Sequence, residues 1–291
     1  MPSVPDGTLR ADLRSAKRAP GAFVADITSV AGRKRRDFCG LGIRAQRGRF
    51  LGRLLKWLAV AILLFVGLSC VLVLLLRWVH PLTSAFMLEA RLDAALEHDS
   101  TYRTDYRWVD LDDISQHAAL AVIASEDQLF PFHNGFDMKS IREAVRASER
   151  GKKLRGASTI SQQVAKNLFL WSGRSFVRKG LEAWFTVLIE ALWPKERILE
   201  TYLNIVQFGK GIYGVEAAAG RFFRKPAARL SSPESALLAA VLPNPIRLKV
   251  DRPSAYVLGR ENQILGQMRA LGGSAYLRAV ERDAKTARTG S

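Results

Sequence analysis

At 291 residues and 48% hydrophobic composition, the chain can build one sizeable core but has little room for two full globular domains. A formal net charge of +17 attracts nucleic acid, anionic lipid and phosphorylated substrates alike, so the location of the charge must decide among them. Cysteine occurs twice, at Cys39 and Cys70, which excludes a disulfide framework or a cysteine metal site in everything that follows.

Residues 1–56 carry thirteen Lys and Arg against four Asp, with Arg33-Lys34-Arg35-Arg36 the densest run. So few large apolar residues cannot bury enough surface to offset chain entropy, and a basic, mostly disordered arm is expected. Residues 57–76 read WLAVAILLFVGLSCVLVLLL without a charge. A helix of that length rises roughly 30 Å, the thickness of a bilayer's hydrocarbon core. A cleavable signal would be shorter and start earlier, so a permanent transmembrane anchor is predicted. Arg44, Arg47, Arg49, Arg53 and Lys56 precede it closely, whereas Arg77 and Arg91 are the only cations in the next twenty residues. That asymmetry places the N-terminus in the cytoplasm and the rest of the chain on the outer face, with Trp57 and Trp78 at the two interfaces. A domain facing away from the cytoplasm has no nucleic-acid partner, and a phosphate-bearing or lipid-linked substrate suits its charge better.

Beyond the anchor, residues 77–110 read as a connector containing a helix over 85–97. Its Leu88, Leu92 and Leu96 recur every four residues, a stripe that could lie on the membrane or pack on the domain. From residue 111 to about 270 the pattern is helical almost throughout, so a mainly α domain is predicted, with residues 271–291 as a tail. Ile114, Ala118, Val122 and Ser125 mark one helix face; Met138, Ile141 and Val145 mark the next, after a cap at Asp137. A long helix is expected over 175–193, burying Leu181, Trp184, Phe185, Leu188 and Leu192 and ended by Pro194. Another runs from Lys195 to Val206. Ser232-Pro233-Glu234 reads as a helix start, and Pro243 and Pro245 stop that helix.

Polar residues concentrate in short stretches. Ser125-Glu126-Asp127 closes an apolar run and is followed by Phe130, His133, Asn134, Gly135 and Asp137. A glutamate held there in a partly desolvated cleft would have a raised pKa suited to proton transfer, although the pair could equally be an ordinary helix end. Arg155 to Gln163, RGASTISQQ, continues to Lys166 and Asn167 and offers small residues, hydroxyls, amides and a cation to sugar or phosphate oxygens; a plain surface loop is the alternative. On a helix, Arg178 and Lys179 share a face with Glu182. That cluster could be a surface ion-pair set or a diphosphate clamp.

Together these residues carry a resemblance. Glu126-Asp127 with Phe130, His133, Gly135 and Asp137; the run from Gly156 to Gln163; Arg178-Lys179 with Glu182; residues 198–204, ILETYLN; and residues 211–216, GIYGVE, occur in the order seen in the peptidoglycan glycosyltransferases. The chain is similar to the monofunctional branch of that family, which has one anchor, rather than to bifunctional members that append a transpeptidase domain. Ala157 and Ser161 depart from the usual glycine and threonine but keep the donors.

The resemblance implies a lysozyme-like fold and an inverting transfer. A growing lipid-linked glycan would be the donor, and the lipid-linked disaccharide, lipid II, the acceptor. By carry-over, Glu126 is the general base and Glu182 the second catalytic carboxylate. Asp127, Phe130, Ser158, Thr159, Gln162, Lys166, Arg178 and Lys179 would bind substrate, with Lys166, Arg178 and Lys179 on the leaving undecaprenyl pyrophosphate. Mg²⁺ or Mn²⁺ held by Glu182 is one way to position that diphosphate. The expected location is the inner membrane with the domain in the periplasm, where other wall-synthesis proteins are candidate partners. A lytic enzyme of the same glycan and a non-enzymatic membrane scaffold are the competing readings.

Overall fold

A computed structural model describes residues 34–139, 142, 143, 146, 158–273 and 275–278, with side chains from Gly52 onward. Most of the basic arm and the stretch containing Ile141, Val145 and Arg155 to Ala157 therefore lie outside the described residues. The chain divides into two compact units, Met1–Leu63 and Leu64–Ser291. Helix α1 spans Lys34–Leu75, and its segment Gly52–Leu75 has a mean hydropathy of 3.1 with 11% of the span buried. So little burial distinguishes it from the core helix of a soluble protein, and its length suffices to cross a membrane.

In the second unit the chain is mainly α, as the sequence predicts. Helix α2 (Ala85–Leu96) starts at Ser84, whose hydroxyl accepts the amide of Met87 at 3.2 Å. It buries Met87 and Ala94 and leaves Leu88, Leu92 and Leu96 exposed, so the leucine stripe does not pack on the domain. Helix α3 (Gln116–Glu126) buries every residue from Ala118 to Ala124. Small alanines on several faces let it be surrounded, and a single amphipathic stripe would not predict that. Helices α4 (Ile160–Phe169), α5 (Phe176–Leu192) and α6 (Lys195–Ile205) follow, then α7 (Val215–Phe223), α8 (Ser232–Val241) and α9 (Ala255–Ala270).

Two groups of helices make the core: α3 packs with α8 and α9, while α4 packs between α5 and α6. Ile123, Ile160, Ile189, Ile198 and Leu203 have no exposed surface, each contributing roughly 2 kcal/mol of burial. Phe169 stacks on Phe185 at 4.4 Å, fixing α4 against α5. The cap of α8 is Ser231, one residue earlier than the sequence suggests, because Ser231 and Glu234 form the reciprocal capping box while Pro233 sits in the first turn.

A three-stranded sheet of β1 (Asp105–Tyr106), β2 (Gln207–Gly209) and β3 (Ile212–Tyr213) closes one side. Its order is β1-β3-β2, parallel between β1 and β3 and antiparallel between β2 and β3. At Gly211, φ is +73° and an added Cβ would lie 2.1 Å from the carbonyl oxygen of Arg103, so only glycine fits the turn. Asn204, fully buried, acts as an extra strand residue: its amide accepts from the Val109 N–H at 2.9 Å and donates to the Val109 carbonyl at 2.8 Å.

The chain leaving α1 is tied to the domain. Trp193 Nε1 donates to the Val73 carbonyl at 2.7 Å, and Trp184 Nε1 to Ser69 Oγ at 3.1 Å. Arg197 donates to the Leu76 carbonyl at 2.9 and 3.2 Å and to that of Val79 at 2.9 Å, while its remaining nitrogen pairs with Glu200 at 2.7 Å.

Candidate active site

Glu126 is the last residue of α3 and reaches across to α4, where Gln163 Nε2 donates to its Oε2 at 2.9 Å. Loss of hydration raises its pKa above the ordinary carboxylate value, and Asp127 adds to the rise. Gln163, Arg260 and Lys166 act against it. A raised proton affinity is the property a general base requires. It lines a cavity of about 390 Å³ together with Ser125, Asp127, Asp137, Ser158, Thr159 and Gln267.

Asp127 faces the other way and is buried. His133 Nε2 lies 2.9 Å from both of its oxygens, and the Ile160 amide donates to Oδ2 at 3.0 Å. Because Gly135 N donates to His133 Nδ1 at 3.1 Å, the imidazole proton sits on Nε2 and points at Asp127. Asp127 thus pins the N-terminus of α4 beside Glu126. Phe130 shows no exposed surface; its ring stands edge-on to His133 and carries Lys195 Nζ at 4.7 Å, so it supports the loop from behind.

The polar run before α4 splits in the same way. Ser158 is exposed at the cavity. Thr159 and Gln162 are buried as a capping box: Thr159 Oγ1 accepts from Gln162 N at 3.2 Å, and Gln162 Oε1 accepts from Thr159 N at 3.0 Å. Thr159 Oγ1 also donates to the Gly135 carbonyl at 2.7 Å. Gly135 has φ +84° and its Cβ would meet Thr186 Cγ2 at 2.7 Å, so this contact requires glycine. Ser161 donates to Glu190, which Lys195 holds at 2.8 Å.

Lys166 lies one turn beyond Gln163 on the same face of α4, half-buried, with Nζ over the Phe86 ring at 5.4 Å. Desolvation lowers its pKa, Glu182 and Glu126 raise it, and Arg178 and Lys179 lower it further. A single lysine therefore feels both glutamates and both other cations, which gathers the five residues into one electrostatic neighbourhood. Arg178 Nη1 reaches Glu182 Oε2 at 2.8 Å and Lys179 Nζ bonds Glu182 Oε1. Glu182 is buried, whereas the Lys179 side chain is 52% exposed. Among the described residues, buried Arg178 Nε has no hydrogen-bond partner.

With both oxygens of Glu182 taken by cations, the residues present do not fit a resident Mg²⁺ or Mn²⁺ there. Among the described residues, His80, Asp110 and Glu200 are the group with ligand atoms close enough, within 4.8 Å of one another. Arg197 already supplies a positive charge to Glu200.

Of the residues expected at the site, Arg178 and Lys179 pair with Glu182, and Lys166 lies within electrostatic reach of these three and of Glu126. Sequence reasoning did not single out Gln163, Tyr202 or Arg260. Gln163 stood in the quoted run, and its spacing of three from Lys166 was the available signal. Arg260 comes from α9, which no motif marks.

As a class, a desolvated carboxylate facing convergent cations on a mainly α scaffold is a group-transfer site for a substrate with an anionic leaving group. The family model described as Transglycosylase matches residues 94–269. The biosynthetic peptidoglycan transglycosylase of Xanthomonas axonopodis pv. citri is 52% identical over 238 residues, covering 82% of this chain and 97% of that protein. Its counterpart from Chromohalobacter salexigens is 54% identical over 228 residues, covering 78% and 97%. That from Pectobacterium carotovorum subsp. carotovorum is 51% identical over 238 residues, covering 80% and 97%. The chain belongs to the transglycosylase family.

Proposed function

We propose that the chain is an inverting peptidoglycan glycosyltransferase that polymerises lipid II into β-1,4-linked glycan strands and releases undecaprenyl pyrophosphate. Glu126 removes the proton from the acceptor's 4-hydroxyl as that oxygen attacks the anomeric carbon of the donor. The new carbon–oxygen bond forms on one face while the bond to the diphosphate breaks on the other, so one displacement turns the α linkage into a β linkage. The electron pair leaves on the diphosphate, whose charge Lys166, Arg178 and Lys179 stabilise, with Glu182 holding the latter two in place. Ser125, Ser158 and Gln267 meet the sugar, while Asp127, Phe130, Thr159 and Gln162 act by fixing the loop and helix end that present Glu126.

The observation that carries this reading is the pairing of one desolvated carboxylate with cations gathered around Lys166. A lytic enzyme would need an acid near the glycosidic oxygen but no diphosphate cations, and a scaffold would need neither. Exposed apolar side chains support lipid-borne substrates: Leu82, Phe176 and Val177 are 91%, 98% and 71% exposed, and Phe176 and Val177 adjoin Arg178 on α5. That surface suits a membrane interface with phosphates just above it. The anchor then holds enzyme and substrate in one bilayer and raises their effective concentration. We read the membrane as the inner membrane, with the N-terminus cytoplasmic, the domain periplasmic, and other wall-synthesis proteins as partners.

Detergent-solubilised protein incubated separately with lipid II and with isolated cell wall tests the reaction. Polymer from the first and no soluble fragments from the second is the expected result; fragments from the wall without polymer would establish the lytic reading instead.

A further inference from the structure

General-base catalysis uses one oxygen of a carboxylate at a time, and the surroundings of Glu126 distinguish its two. We propose that Gln163, held in turn by Tyr202, is a positioning residue that occupies Glu126 Oε2 and leaves Oε1 to take the acceptor's proton. This rests on the assignment of Glu126 as the base.

The geometry is a short chain of hydrogen bonds across three helices. Tyr202 Oη on α6 donates to Gln163 Oε1 on α4 at 3.2 Å, and Gln163 Nε2 donates to Glu126 Oε2 on α3 at 2.9 Å. The reversed amide would set its oxygen against an ionised carboxylate, so this orientation is the one that serves the base form. Tyr202 is fully buried, and burial together with the charges of Glu126 and Asp127 pushes its phenol well above the ordinary value. It stays a proton donor throughout the working range. Each polar atom of Gln163 makes one bond in this chain, Oε1 accepting from Tyr202 and Nε2 donating to Glu126.

The groups that face Glu126 from each packed element are few. Asp127 follows it in the chain, Lys166 comes from α4, Arg260 from α9, and Tyr202 is turned toward it from α6. Asp127 has its oxygens occupied by His133 and by the Ile160 amide, so it is not a second proton acceptor. Lys166 and Arg260 favour the ionised form by charge, but neither forms a hydrogen bond with Glu126 among the described residues. The hydrogen bond that aims the carboxylate is that from Gln163.

The test is the pH profile of kcat/KM for polymerisation by the full chain in detergent, comparing wild type with Gln163→Met, Tyr202→Phe and Glu126→Gln. Removing an N–H donor from an ionised carboxylate raises the pH at which it loses its proton. Gln163→Met should move the acidic limb up by about one pH unit and lower kcat roughly tenfold at neutral pH, with KM little changed. Tyr202→Phe removes one oxygen from an otherwise unchanged ring and should move the limb the same way by less; it carries the test if Gln163→Met fails to fold. A limb that stays put in the folded variants, or a rise in KM alone, overturns the proposal. Polymerisation that persists in Glu126→Gln would instead remove the base assignment itself, whatever the limb does, so the two failures are told apart.

Discussion

Two residues of the site have proton affinities displaced toward each other, and the same cause acts on both. Burial raises the pKa of Glu126 and lowers that of Lys166, because either charge is costly away from water. The proposed reaction needs Glu126 ionised and Lys166 protonated. The signs therefore give a bell-shaped pH–rate profile: the acidic limb lies above the usual carboxylate range and is set by Glu126, and the alkaline limb lies below the usual lysine range and is set by Lys166. Replacing Lys166 with Arg, which does not lose its proton, should remove the alkaline limb while leaving the acidic one. An alkaline limb that persists in Lys166→Arg would show that another group sets it. Which side chains touch substrate and which hold those that do was only half legible. Thr159-Ile160-Ser161-Gln162 reads as donors for a sugar, yet a threonine followed three residues later by glutamine is also the signature of a capping box, and the backbone took both groups. Asp127 likewise serves a helix N-terminus and a histidine.

At the level of elements, the sequence announces most helices because their ends carry chemistry. Ser175 caps α5, accepting the Arg178 amide at 3.1 Å, and Pro194 precedes α6. The strands were not legible: with two or three residues each they are too short to show alternation, and they form because Gly211 turns the chain and brings β2 and β3 together. Helix α9 falls in the stretch read as helical, but its bounds were not legible, since only Val257, Ile264 and Met268 are buried along it. Nor does any local pattern predict the grip of α6 on the segment leaving α1. Arg197 is that grip, with a side chain 8% exposed against Glu200 at 16%, so replacing it strands a half-buried carboxylate and two carbonyls. Arg197→Met should cost about 3 kcal/mol, read as a fall in the thermal midpoint in detergent. Arg197→Lys should recover only part of it, because one ammonium cannot replace a planar fork. A variant as stable as wild type would show that the carbonyls and Glu200 find other partners.

For the molecule as a whole, the proposed chemistry draws on both groups of helices. Helix α3, backed by α8 and α9, delivers Glu126; α4 and α5 deliver the cations; and the hydrogen bond from Gln163 joins them. Composition and hydropathy foretold a helix long and apolar enough to cross a membrane, Gly52–Leu75. They could not foretell that its last turns would be held by Trp184 and Trp193, because those contacts join residues far apart in sequence.

The decisive measurement is the initial rate of glycan polymerisation from lipid II by Glu126→Gln beside wild type, with the thermal midpoint of both recorded in the same detergent. Because ionised Glu126 is costly in the folded state above its raised pKa, the variant should be at least as stable as wild type at neutral pH. Its rate should fall by about a thousandfold, the scale of a lost general base. A correctly folded Glu126→Gln protein that polymerises at the wild-type rate would contradict the account.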